Sequence, residues 1–286
     1  DNSEISYTPT TLTYNASNWF TAQTVTITGQ NEFLKDGNIT SLITLAVNDG
    51  STCDSDFDAL SDSYYTATNT DDDTAGFTIS ESGGSSSTSE TGTTDTFTVV
   101  LTSEPTGNVV LDISSADTGE VARSPASLTF TSGNWNTAQT VTLTGQDDYI
   151  VDGTQSSTIS VSVDSLSTAD ADYGALSAQT FSATNTDDDV VGVTISHAGA
   201  NSSSTSVSET GTTDNVTVVL NTLPSGNVVL DISSADTGEF TVGTSQLTFT
   251  TGNWNAPQTV VLTGVADSSI DGNQTVQFRA APNGAT

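Results

Sequence analysis

The chain of 286 residues has almost no positive charge. Lys35, Arg123 and Arg279 are its only basic residues against 35 acids, so its formal charge is −32. That balance excludes nucleic acid as a partner, because phosphate binding needs Lys and Arg, and it disfavours docking on anionic membranes. Methionine is absent, and Cys53 stands alone in an acidic loop, so no disulfide forms within the chain. A single histidine, His197, leaves no multi-histidine metal site and reads as a surface loop residue rather than the base of a triad. No apolar run approaches the roughly 20 residues of a membrane span, no glycine motif of the phosphate-cradling kind is present, and helical periodicity is missing throughout. Paired carboxylates can hydrolyse glycosides, but such enzymes need an aromatic-lined cleft, which nothing here suggests. A non-catalytic protein is expected.

What is present is repetition. Trp19, Trp135 and Trp254 each follow an Asn and precede a Thr-rich strand, with spacings of 116 (19 to 135) and 119 (135 to 254) residues. The first spacing also maps Asp71 onto Asp187; the second maps Glu90 onto Glu209 and Leu111 onto Leu230. Three tandem units follow: residues 1–73, carrying the C-terminal part of a repeat; 74–189, a complete repeat; and 190–286, a repeat lacking its last strand. This frame predicts a longer natural protein.

Within the complete repeat, apolar residues alternate with polar ones at period 2: Phe97, Val99 and Leu101; Val109, Leu111 and Ile113; Leu128 and Phe130; Val141 and Leu143; Ile159, Val161 and Val163; Phe181 and Ala183. With an opening strand at Phe77–Ile79 the expectation is about seven strands per unit: all-β, tandem immunoglobulin-like Greek-key sandwiches arranged as an extended rod. Trp135 is expected to pack over a sandwich edge or cap the core, although a surface Trp could also bind a sugar ring. The sequons at Asn15, Asn38, Asn201, Asn215 and Asn273 matter only in a host that glycosylates exported proteins.

Asp and Glu concentrate at strand ends and in turns. Thr68-Asn69-Thr70-Asp71-Asp72-Asp73 returns unchanged as Thr184-Asn185-Thr186-Asp187-Asp188-Asp189. Three adjacent carboxylates repel one another, and Asp is a poor strand residue. A hard divalent cation reverses that penalty, since Ca²⁺ takes about six to eight oxygen ligands. Glu90 and Glu209 precede the second strand, and Asp117 and Asp236 follow the third. Asp147, Asp148 and Asp152 lie after the fifth strand, matched by Glu32 and Asp36 in the first repeat and by Asp267 and Asp271 in the third. In a Greek-key sandwich these loops gather at one pole. Solvated turns without metal, or a salt-adapted acidic surface, are the plain alternatives.

Several motifs resemble those of Calx-beta domains: Ser89-Glu90-Thr91-Gly92 before Phe97–Leu101, then Gly107-Asn108-Val109, and the Asp-Asp-Asp-x-x-Gly ending at Asp187 to Gly192. The resemblance runs through every repeat. It implies an immunoglobulin-like fold and calcium held by Glu90, Asp147, Asp148, Asp152, Asp187, Asp188 and Asp189, with Asp117 a looser match. Two departures stand out. Thr118-Gly119-Glu120 replaces the family's Gly-Thr-Ala segment, and Ala266 stands where the middle repeat has Asp147. Fewer carboxylates imply fewer or weaker ions.

The expected role is a calcium-stiffened segment of an extracellular adhesin stalk or surface filament. Its partners would be neighbouring repeats and further copies in a filament or surface layer, with no nucleic acid and no membrane insertion. A glycan- or surface-binding module and an accessory domain of a secreted enzyme are the alternatives.

Overall fold

The computed structural model describes residues 2–52, 54–197 and 205–284; Cys53 and the Asn201 sequon lie outside them. The first repeat contributes β1 (Ile5–Thr8), β2 (Thr26–Gly29), β3 (Ile39–Leu45) and β4 (Ser63–Asn69). The middle repeat contributes β5 (Phe77–Glu81), β6 (Ser86–Ser89), β7 (Thr94–Leu101), β8 (Val109–Ser115), β9 (Val121–Ser124), β10 (Ser127–Phe130), β11 (Gln139–Gly145), β12 (Gln155–Val163) and β13 (Gln179–Thr186), with a four-residue helix α1 (Ala171–Gly174). The third contributes β14 (Val193–His197), β15 (Thr213–Leu220), β16 (Val228–Ser234), β17 (Phe240–Val242), β18 (Gln246–Phe249), β19 (Gln258–Gly264) and β20 (Phe278–Pro282).

The middle repeat is a two-sheet sandwich of the immunoglobulin type. One sheet runs β5-β7-β11-β9 and the other β10-β8-β12-β13-β6. Neighbours far apart in sequence, β7 with β11 and β8 with β12, give the Greek-key crossing, and β6 lies parallel to β13. The alternation in β7 is realised residue by residue: Phe97, Val99 and Leu101 are buried and the residues between them half-buried. Phe97, Leu111, Ile113, Phe130, Val141, Leu143 and Ile159 are almost fully enclosed. Each such side chain is worth about 1.5–3 kcal/mol relative to exposure.

Nine strands form where seven were expected, because β6 and β9 add to the seven. Gly83 and Gly84, at φ 66° and 83°, turn the chain between β5 and β6, so that β5 joins one sheet and β6 the other. Only glycine takes such values without a steric cost. Likewise Pro125, without an N–H to continue a ladder, separates β9 from β10, which pair with different sheets. The connection to β13 is closed by Tyr173. This buried side chain donates its hydroxyl to the Ser103 carbonyl at 2.6 Å, while Asp170 caps α1 through the N–H groups of Asp172 and Tyr173.

The third repeat repeats this plan with β14-β15-β19-β17 facing β18-β16-β20, around a core that includes Val218, Leu230, Phe249 and Val260. In the first repeat the pairs β1-β2 and β3-β4 are separate, and Leu42, Leu45, Tyr64 and Tyr65 are exposed. A two-stranded ribbon with nothing packed on its face cannot bury them.

Candidate cation site

Four connections of the middle repeat meet at one pole. Glu90 follows β6, Glu120 precedes β9, Asp147 to Asp152 lie between β11 and β12, and the aspartate triad follows β13. Backbone bonds tie these connections together: Glu90 N–H donates to the Thr186 carbonyl at 3.1 Å, and Gln146 N–H to the Glu120 carbonyl at 2.9 Å. Two triplets of carboxylates result, each with ligand atoms within 4.8 Å of one another: Glu90, Asp148 and Asp189; and Glu120, Asp148 and Asp152. Asp148 belongs to both.

Glu90 carries the strongest physical signal. It is buried, and its Oε2 and the Oδ2 of Asp189 are enclosed without any hydrogen-bond partner. Burial first, then the charge of Asp187, pushes the Glu90 carboxyl up to about 7 from its ordinary 4.5. Burial and then Asp147 raise Asp189 in the same direction. Orphaned carboxylate oxygens facing other carboxylates are costly unless a proton or cation offsets the charge, and an all-oxygen donor set suits a hard cation such as Ca²⁺.

The triad divides its labour. Asp187 accepts from Gly153 N–H at 2.7 Å and from Asp189 N–H at 2.8 Å, and these two bonds hold its carboxyl below the usual range. Asp71 does the same with Gly37 and Asp73. The first Asp of each triad thus fastens the acidic loop to the strand exit, and the third faces the other acids. Asp188 and Asp72 lie outside the close triplets. Asp117 and Asp236 turn back onto the N–H groups of Gly119 and Gly238, both on 2.8–2.9 Å bonds, and shape their turns.

The second triplet occurs in all three repeats, as Glu4, Glu32 and Asp36; Glu120, Asp148 and Asp152; and Glu239, Asp267 and Asp271. Burial and neighbouring acids, Glu4 and Asp271 respectively, raise the carboxyls of Glu32 and Glu239. Asp73 is raised by burial and then Asp72. Glu209, the counterpart of Glu90, lies outside the close triplets, though its charge reaches Glu239.

Glu4, Glu120 and Glu239 lie outside the ligand set expected from the sequence. Their recurrence at the 116- and 119-residue spacings (4 to 120, 120 to 239) was the available signal. The Asn inside the repeated hexapeptide also belongs to the site. Asn185 is fully buried and donates through Nδ2 to Glu120 Oε2 at 3.1 Å and to the Gln146 carbonyl at 2.9 Å. Asn69 repeats both bonds with Glu4 and Gln30. This Asn aims the glutamate.

Two expectations change on contact with the structure. His197, at the end of β14, is paired with Asp214 at 2.9 Å rather than standing alone in a loop. Trp135 belongs to the core, as expected, but its ring also meets Phe33 of the preceding repeat.

No protein-family model matches the chain, and no curated protein does. Among solved structures, CBD12 from CALX1.2 is 12% identical, covering 67% of this chain and 76% of that one at a TM-score of 0.30. Domains 4–9 of the surface layer protein SbsC are 14% identical at a TM-score of 0.28, covering 90% of this chain but 36% of theirs. The E. coli chaperone DraB is 7% identical at 0.28, covering 72% of this chain and 91% of its own.

Proposed function

We propose that this chain is a non-catalytic structural segment of an extracellular adhesin stalk or surface filament, a rod of sandwich repeats stiffened by Ca²⁺. The carrying observation is the enclosed, unpartnered pair Glu90 Oε2 and Asp189 Oδ2 among converging acids. Glu90, Glu120, Asp148, Asp152 and Asp189 would hold the ion in the middle repeat. The ion would offset the mutual repulsion of a chain carrying −32 and lock loops that lie beside the repeat boundary. The helices among the described residues are too short to cross a membrane. Trp135 and Trp254 each carry an aromatic ring of the preceding repeat, which favours a joint over glycan binding at those positions.

Calcium titration of the three-repeat chain, with melting temperature and small-angle scattering followed together, tests this reading. The expected result is a rise in melting temperature and a longer, stiffer scattering profile, reversed by chelator and weakened by Glu90→Gln with Asp189→Asn. Equal stabilisation by sodium chloride and no response to calcium would overturn it, leaving the acids as a salt-adapted surface.

A further inference from the structure

The loop that carries the acids has a second side. In Gln146–Gly153, Asp148 and Asp152 face the carboxylates of their own repeat, while Tyr149 between them leaves it. Its ring lies on Trp254 of the third repeat, centroids 5.7 Å apart at 49°, and its carbonyl accepts from Leu223 N–H at 2.8 Å. The preceding joint has the same three parts. Phe33 lies on Trp135 at 5.5 Å and 47°, and its carbonyl accepts from Glu104 N–H at 2.6 Å. All three parts correspond under the repeat spacings: 33 to 149, 135 to 254, 104 to 223.

We infer that this loop is an inter-repeat clasp, in which an aromatic tip seated on the Asn-Trp turn of the following repeat fixes the joint. Two observations separate the clasp from the acidic side of the loop. Tyr149 adopts φ 63°, the left-handed region, and is the one non-glycine residue there among those described; Phe33 makes the same contact without it. The contact therefore persists across two local backbones, one of them in a region that residues with a side chain rarely adopt. Secondly, the loop of the third repeat keeps the inner arrangement, Asp267 accepting from Ser269 N–H as Asp148 accepts from Ile150 N–H, yet has Ser268 at the tip. Inner acids and outer ring vary independently. An aromatic pair of this kind attracts beyond its buried area, and the backbone bond beside it fixes direction. The clasp partner is accordingly a repeat bearing the Asn-Trp turn.

The test uses the whole chain with Cys53 replaced by serine and spin labels at Ser182→Cys and Thr241→Cys, spanning the second joint. In saturating calcium the unsubstituted joint is expected to give one narrow distance distribution. Tyr149→Ser, the residue found in the third loop, should lose that narrow distribution while the melting of the middle repeat persists. Tyr149→Gly relieves the left-handed backbone but removes the ring, and should lose it too. Tyr149→Phe should keep it, since Phe serves at the first joint, and Phe33→Ser should leave it untouched. A distribution that stays narrow in Tyr149→Ser and Tyr149→Gly overturns the clasp, as does equal broadening in Tyr149→Phe. Calcium binding measured on the same variants reports separately on the acidic site.

Discussion

At the scale of single residues, the chemistry turns on which carboxyls face solvent and which face each other. Glu90 titrates at about 7 when folded, against an ordinary 4.5, because burial and then Asp187 penalise its charge. A carboxyl raised on folding favours the fold while protonated. That contribution is complete below about 4.5 and is lost as pH rises through about 7, where the folded chain must hold a charge that the unfolded chain leaves in water. Asp189 acts in the same direction; Asp187, with its pKa lowered by Gly153 N–H, acts in the opposite one, but below the usual carboxylate range. In chelator, the melting temperature of the wild-type chain should therefore fall from about pH 5 to about pH 8, and Glu90→Gln should flatten that slope. Calcium should reverse it, since a cation binds the deprotonated form. Identical slopes in wild type and Glu90→Gln would refute the burial argument.

Elements meet at the acidic pole through close backbone approach. Gly145, the last residue of β11, is where β6 and the buried Asn185 come nearest: a Cβ there would overlap the Ser89 carbonyl oxygen and Asn185 Oδ1. Backbone cannot yield as a flexible side chain can. Gly145→Ala should thus destabilise the middle repeat by about 1–3 kcal/mol, the usual range for overpacking, and should weaken cation binding by displacing the Asn185 that aims Glu120. Gly133→Ala is the control, because the nearest atom to its Cβ would be Thr131 Oγ1 at an ordinary 3.7 Å. Thermal melts of the two variants decide it; equal small effects would show that the pole relaxes.

Across the whole molecule the repeats differ in how much they enclose. Among the described residues the middle repeat buries eighteen hydrophobic side chains in one cluster and the third buries ten, whereas β2 is exposed along its length and β3 buries only Ser41. Opening free energy follows buried contact. Hydrogen exchange should accordingly be slowest in β7, β8, β11 and β12, intermediate in β15 and β19, and fastest in β1 to β4. Uniform protection along the chain would contradict this gradient and point to cooperativity transmitted through the joints.

Period-2 alternation in stretches such as Phe97–Leu101, the recurring Trp and the clustering of acids in turns were enough to define β-sandwich repeats and an acidic pole, because each is a local pattern with one compatible periodicity. The breaks after β5 and β9 were carried by local residues too, Gly83-Gly84 and Pro125, yet which sheet β6, β9 and β10 join depends on pairing with β13, β11 and β8. Glu120 rather than Asp117 faces Asp148 because the turn consumes the Asp117 carboxylate on Gly119, a choice between two acids three residues apart that no spacing rule makes. Phe33 and Tyr149 read as loop residues until the next repeat is placed beside them. By itself the sequence determined what must be buried and where charge accumulates, since those follow from side-chain chemistry and period. Only the tertiary structure decided which acids share a site and which rings meet, since those depend on distances set by strands far apart in the chain.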